Sequence, residues 1–590
     1  MTSNKKSFMK KRRNTIVMLA IVFTVLIAGY FALRGVLVDS NPETTAPPTV
    51  ELMPGEDKFG ESLLVYPRIE RKDLDTVKIH NPKNLSYGEV YVDWGIGFAY
   101  DAESKDYYGY LLEYDYAELD GNQLAYFAMG AGYVSFTSRV SDITADTDLS
   151  VYGLDYTSDA DATYMLVKHR NGTQHKIYYG KKNPSGASYY AIYASVDANG
   201  KETRRDTVYL LGVSTTTYTS STVLAKPTEM LTARMTYPIK SMFSSFILQD
   251  TRGNLDIAFL PTNTLKNTDS VFGGSSLYYT ALPKGYFSSS EFETRITIFE
   301  DFLGEETLEY ATKLVEGVDE ETGKPYSYYT FDDETLAKYH LDAASDLYLM
   351  MYTSAVEGSE EHAVSEVYFS QLQPDGYYYA HSLSFGTIVR VSASLVDFLE
   401  WSLLDFVDSY ALRIAIGYVD TVTFKGTLNG APFSESFSTK VGTEYKLLSA
   451  RAENANKDVS VDLYRTLFQL MYNTVQRGTV PETLDKEKLM ENAPYAEIHL
   501  KTRDVTVYAK DELGAPTTKV EGVVKSVTRV LRFYRYSNER TLMTIETIDA
   551  NGKSNGEVGE FYVLTSRLDQ LIRNADNLVK GIPFTWYDKE

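Results

Sequence analysis

Carboxylates that recur in a fixed setting are candidates for general acid–base chemistry, and Asp155 and Asp342 recur in one. Each closes a copy of Leu-x-x-Tyr-x-Leu-Asp: Leu149, Tyr152, Gly153, Leu154 and Asp155 in the first, Leu336, Tyr339, Leu341 and Asp342 in the second. A catalytic pair must flank one substrate, whereas these two belong to different copies. Their expected role is that of a turn or cap residue whose side chain accepts from nearby backbone N–H groups. The leucines and tyrosines beside them are expected to pack. His169 and His175 could form a metal pair. Asn171-Gly172 between two alternating runs predicts a two-residue hairpin turn, which sets His169 opposite Gln174 and His175 opposite Lys168. Adjacent rungs point to opposite faces of a sheet, so the imidazoles are not expected to share an ion; a three-residue loop would change that. The other five histidines are scattered, without His-Glu-x-x-His. Gly130-Ala131-Gly132 lies in a helical pattern, with Ser135 where a dinucleotide loop needs glycine. Gly552-Lys553-Ser554 lacks the first glycine of a phosphate loop, Thr547 standing there. The absence of cysteine excludes disulfides, thiolate metal sites and cysteine nucleophiles together. No catalytic residue, no cofactor and no metal is expected.

The elements that carry these residues repeat. In the first unit, alternation predicts strands over 76–80 and 89–94, and apolar spacing predicts a helix over 122–140. The Leu-x-x-Tyr-x-Leu-Asp stretch and a tyrosine-rich antiparallel meander to Leu211 follow. The second unit offers a strand over 255–260, a helical region over 305–315, the second motif, strands over 347–353 and 365–370, and a helix over 395–406. Pro374-Asp375-Gly376 echoes Pro184-Ser185-Gly186, and Tyr378-Tyr379-Ala380 echoes Tyr189-Tyr190-Ala191. A third, diverged unit repeats Asp197-Ala198-Asn199-Gly200-Lys201 letter for letter at 549–553 and ends in a helix over 566–579, but lacks the motif. The expected fold class is α+β: an N-terminal transmembrane helix, then repeated units of antiparallel sheet with packed helices. The expected units are 63–235, 236–410 and 411–590.

The N-terminus suggests a compartment. Lys5, Lys6, Lys10, Lys11, Arg12 and Arg13 make a basic tail over 1–14, ahead of an uncharged apolar run over 15–33. At 1.5 Å per residue that run spans about 29 Å, one bilayer core. An uncleaved signal anchor is expected, with the basic side cytoplasmic and all beyond Arg34 outside the plasma membrane. A Pro/Thr-rich linker is expected over 34–62. The chain carries a net charge of −22; seven of its 58 cations and none of its 80 carboxylates lie within the first 34 residues, which leaves −29 beyond them. Such a field repels nucleic acid, so no nucleic-acid partner is expected. The chain has 48 tyrosines. Runs such as Tyr377-Tyr378-Tyr379 must turn at least one ring outward, and glycan stacking is one use for it.

The basic tail, the anchor, the stretch from Thr147 to Asp155 and the strands to Leu211 resemble the bacterial domain of unknown function family 4340. The resemblance covers about 63–224. It weakens in the second unit, where His340 replaces a frequent glycine, and is faint in the third. It implies a non-enzymatic, single-pass membrane protein whose ectodomain serves as accessory or scaffold of an ABC-type, gliding-like envelope transport complex, with that complex's membrane proteins as partners. It supplies no catalytic residues. The alternatives are an extracytoplasmic polysaccharide- or cell-wall-binding module and, behind it, a glycan hydrolase.

Overall fold

A computed structural model describes residues 50–584 apart from 83–90, 102–105, 115–117, 213–225, 240–241, 265–275, 312, 319–322, 324, 356–361, 443–444, 475 and 511–515. Three large antiparallel sheets follow one another along the chain, and each is laid down in the same order. In the first, three early strands (Leu74–Asn81, Tyr91–Asp101, Asp106–Leu111) precede a helix (Gly121–Gly132) and an edge strand (Ser135–Asp142). A helical turn (Leu149–Tyr152) and four late strands (Thr163–His169, Gln174–Lys182, Ser188–Val196, Thr207–Gly212) complete it. The first early and first late strands pair at the centre, so the sheet reads edge strand, late strands backwards, then early strands forwards. The second sheet has this order with early strands Phe243–Asp250, Asp256–Pro261 and Tyr278–Leu282, edge strand Glu306–Tyr310, and late strands Tyr348–Ala355, His362–Phe369, Tyr377–Ser382 and Thr387–Ser392. The third has it with Val419–Leu428, Ala431–Val441 and Leu447–Ala452, edge strand Gly478–Thr479, and Ala496–Thr502, Thr528–Arg535, Arg540–Ile548 and Val558–Leu564. Two-stranded ribbons interrupt the later units: Lys313–Val318 with Pro325–Thr330, and Val505–Lys510 with Pro516–Val524.

The architecture is therefore mainly β, which corrects the α+β expectation. Apolar spacing over 305–315 suggested helix, but Glu306–Tyr310 pairs with the open edge of Thr387–Ser392 and Lys313–Val318 enters a ribbon. Pairing with a waiting edge overrides weak local periodicity. The helix expected over 395–406 breaks into a 3₁₀ turn (Asp397–Glu400) and a short helix (Leu403–Phe406). The helix expected over 122–140 stops at Gly132, where a side chain would collide with the Ile69 carbonyl, and the chain continues as an edge strand. Helices Val461–Tyr472 and Thr565–Lys580 cover the third sheet with Tyr464, Leu467, Leu568, Leu571 and Leu578.

Among the described residues no helix is long and apolar enough to cross a membrane, and the one expected over 15–33 falls outside them. Residues 1–14 and 15–33 lie outside the described residues. The linker expected over 34–62 ends early: Asp57–Phe59 and Ser62–Leu64 already pair onto the first sheet. Glu56 fastens that segment, accepting from Arg139, from Tyr209 Oη at 2.7 Å and from the Met53 N–H at 2.8 Å.

The cores divide unevenly. The first sheet and its helix enclose their own core, centred on Trp94, Phe127, Met165 and Tyr209. The second and third sheets share one continuous core running from Met235 to Leu578.

Candidate functional site

The two motif stretches take the same local shape. Asp148 caps the first turn, accepting from the Ser150 N–H at 3.1 Å, and Asp332 caps the second, accepting from the Thr335 N–H at 2.8 Å. The hydrogen bond from Ser150 and that from the Thr335 N–H hold the two carboxyls below their ordinary range. Each turn ends in a left-handed residue, Gly153 at φ 69° and His340 at φ 58°. The next N–H then reaches back: Leu154 N–H to Leu149 O at 3.0 Å, Leu341 N–H to Leu336 O at 2.9 Å. Leu154 and Leu341 are buried in small clusters on the sheet faces away from the main cores, where Tyr152 meets Tyr190 edge-on at 5.0 Å and Tyr339 meets Tyr379 at 5.3 Å. Asp155 and Asp342 are exposed beyond these leucines. The cap belongs to the aspartate before each turn and not to the one after it. The third unit puts a short helix, Lys486–Met490 capped by Asp485, at the same place over a cluster with Tyr534 and Leu542. These stretches pack; they do not assemble a reactive centre.

The histidine pair differs from expectation. The His169 N–H donates to Thr173 O at 2.9 Å, leaving the three-residue loop Arg170-Asn171-Gly172, with Gly172 at φ 88°. Val167 therefore faces His175, and the two imidazoles share a face with ring centroids 5.0 Å apart. Asn-Gly still makes the turn, but glycine takes the left-handed bulge position of the longer loop. His175 stacks on Tyr66 at 4.3 Å and its Nδ1 lies 2.9 Å from Tyr193 Oη. Burial pushes its pKa down to about 4. Among the described residues no third ligand joins the pair: no group of three or more His, Cys, Asp or Glu could hold a metal.

An open groove of about 490 Å³ lies in the first unit, between the 3₁₀ turn Arg71–Asp73, the helix Gly121–Gly132 and the strand Asp106–Leu111. Asp120 caps the helix through the Asn122 and Gln123 N–H groups at 2.9 and 2.8 Å. The helix presents Ala125, Ala128 and Met129 as the floor. The chain over 65–69 is tied along the helix end, with the Ile69 N–H donating to Gly132 O at 3.1 Å. That fixes Arg68, Glu70, Arg71 and Lys72 on one wall. Arg170 braces this wall from behind: its Nε donates to Lys72 O at 2.9 Å, its Nη2 to Phe98 O at 2.6 Å, and its guanidinium lies 4.9 Å from the Tyr107 ring. Lys72 pairs with Glu70 at 2.8 Å, and Arg68 lies over the rings of Phe59 and Tyr133 at 4.5 and 4.9 Å. The Arg71 Nε is buried and has no hydrogen-bond partner among the described residues. Three cations and two carboxylates thus line a groove in a strongly acidic chain. The groove's one linear signal is Arg68-Ile69-Glu70-Arg71-Lys72, three cations in five residues; the tyrosines come from elsewhere in the chain.

Comparison with family models, with curated proteins and with solved structures finds no match to this chain.

Proposed function

We propose that this protein is a non-enzymatic scaffold of the bacterial envelope, an accessory to an ABC-type transport complex. The observation that carries the reading is the triplication: one sheet unit is built three times, each with the same strand order. A unit repeated for its surface suits an interaction protein better than one built around a single cleft. The resemblance of 63–224 to domain of unknown function family 4340 supplies the envelope and the transporter. The basic-then-apolar order of the first 34 residues favours action outside the cytoplasm. The test is crosslinking in native membranes followed by purification of the full-length chain. Stoichiometric recovery of a permease and its ATPase is expected; a chain that comes away alone overturns the reading. Protease added to intact spheroplasts should digest the part beyond Arg34, and its protection would remove the extracytoplasmic assignment.

A second reading, a polysaccharide-binding module, is favoured by the groove of the first unit, with tyrosine and phenylalanine rings at its rim and unequal charge along its wall. A hydrolase in that groove would need a protonated carboxyl to donate. Glu70 is poorly suited, since the hydrogen bond from Lys72 holds its pKa below the ordinary carboxylate range and keeps it ionised.

A further inference from the structure

We propose that this groove is a subsite for an acidic saccharide, with Arg71 receiving the carboxylate of a uronic-acid unit. The proposal deepens the polysaccharide-binding reading and rests on it. Ligand clefts run to roughly 300–1,000 Å³, and the groove's 490 Å³ falls within that range. Its charge, three cations against two carboxylates, stands out in a molecule that carries a net −22 overall. Most of the wall's cationic capacity is already engaged: Lys72 on Glu70 at 2.8 Å, Arg68 on two rings and loosely on Glu70 at 4.0 Å. Arg71 is the exception, with its buried Nε unpaired among the described residues. That Nε has almost no accessible surface, so a ligand meets Arg71 through the part of its guanidinium that lines the groove. The planar guanidinium fork matches a carboxylate with two parallel bonds. The aromatic rim points to a ring-shaped ligand. Tyr107 and Tyr133 line the groove, and Phe59, 44% exposed, sits 5.0 Å from Tyr133 with Arg68 over both. One face of each ring carries Arg68 or Arg170, and the other is left to take the C–H side of a sugar while the charge at Arg71 fixes its orientation.

The test is calorimetric titration of the full-length protein with tetragalacturonate, with neutral maltotetraose and with glycerol 3-phosphate. Tetragalacturonate should bind, and more weakly as salt rises. Arg71→Gln should weaken it about tenfold or more, with an unchanged circular dichroism spectrum. Arg71→Lys keeps the charge but loses the fork, and should recover only part of the affinity. Lys72→Gln, at an exposed position that risks no unfolding, should weaken binding a few-fold, and Arg465→Gln on the third unit should change nothing. Equal binding of maltotetraose, or a loss with Tyr133→Ala but not with Arg71→Gln, would overturn the acidic-sugar assignment while leaving glycan binding standing. Tighter binding of glycerol 3-phosphate than of the uronate would overturn it in favour of a phosphate ligand. If neither saccharide binds, the polysaccharide reading falls with it.

Discussion

His340 holds a φ of 58° where its counterpart Gly153 holds 69°. A Cβ in the left-handed region costs about 1–2 kcal/mol, and glycine escapes that cost at the price of a freer unfolded chain. His340→Gly should therefore raise stability by up to about 1 kcal/mol. Gly153→Ala should lower it by about 1–2 kcal/mol, the new Cβ also lying 2.9 Å from the Lys181 nitrogen. Denaturant midpoints of the two variants decide both. The lost glycine at 340 was legible in the sequence as a departure from the first copy; that the backbone kept the glycine conformation was not. His381 is the second residue of this kind. It stands opposite Tyr368 as Ile192 stands opposite Tyr178, so an imidazole fills the place of an isoleucine in the second motif cluster. Burial pushes its pKa down to about 4, as it does for His175. The unfolded chain binds a proton near pH 6.5 and the folded one only near 4, so the stability conferred by the neutral form is present above about 6.5 and is lost as pH falls towards 4. Each histidine contributes about 3 kcal/mol across that window. His381→Ile should flatten the fall of the urea midpoint between pH 7 and pH 4.5, and an undiminished fall in the variant would refute the assignment.

The helical turn that carries each motif is a fastening element for the outer sheet face. Truncating Leu154 or Leu341 to Ala should cost roughly 2–5 kcal/mol through lost burial and a residual cavity, because both are almost fully enclosed. Asp155→Asn should be nearly neutral at its exposed position, whereas Asp148→Ala removes the cap that Ser150 binds. Equilibrium unfolding of the four variants ranks them. The period-2 strands and the motif were legible, since alternation and the shared leucines report a half-buried surface directly. The hairpin register at 169–173 was not, because Asn-Gly serves both the two-residue turn and the longer bulged loop, and only the pairing of Val167 with His175 distinguishes them. The groove was not legible either, as Arg71, Tyr107 and Tyr133 come from three elements brought together only by packing. The ribbon Lys313–Val318 with Pro325–Thr330 behaves differently from the sheets. It leaves Leu314 and Tyr326 each 46% exposed and Val318 61% exposed. A lone two-stranded ribbon is marginal in water. Its amides should exchange far faster than those of the central strand Tyr348–Ala355, and comparable protection would mean that a partner covers it.

Three sheets with one strand order invite the expectation of three independent units, yet burial groups them as one and two. The first sheet's core is closed by its own helix and by Met230 and Leu231. Its link to the second is narrow: Arg234 to Glu118 at 2.8 Å and to Asp301 at 3.0 Å, Thr307 Oγ1 to Thr232 O at 3.1 Å, and the half-buried Tyr310 ring, which packs beside Tyr114 against the first core. The carboxylates of both ion pairs are solvent-exposed, and pairs with water on one side contribute little. The second and third sheets are joined differently. Tyr286 packs edge-on against Phe561 at 4.9 Å, and its hydroxyl accepts from the Glu560 N–H at 2.9 Å. Gln476 donates from its side chain to Asp408 O at 2.9 Å, and its N–H donates to Ser409 O at 2.8 Å. Around these bonds the apolar residues form one body, so separating the sheets would expose a shared core and would not merely loosen a linker. Denaturation of the whole chain should accordingly show two transitions, one for the first unit and one for the second and third together. Tyr286→Ala should lower only the latter, by about 3–5 kcal/mol as for other large aromatic truncations. Fluorescence reports them separately, since Trp94 lies in the first unit and Trp401 in the joined pair. A fragment of residues 411–590 should fail to fold alone and one of 236–590 should succeed. Three transitions, or a stable 411–590 fragment, would show that the shared core adds nothing to cooperativity.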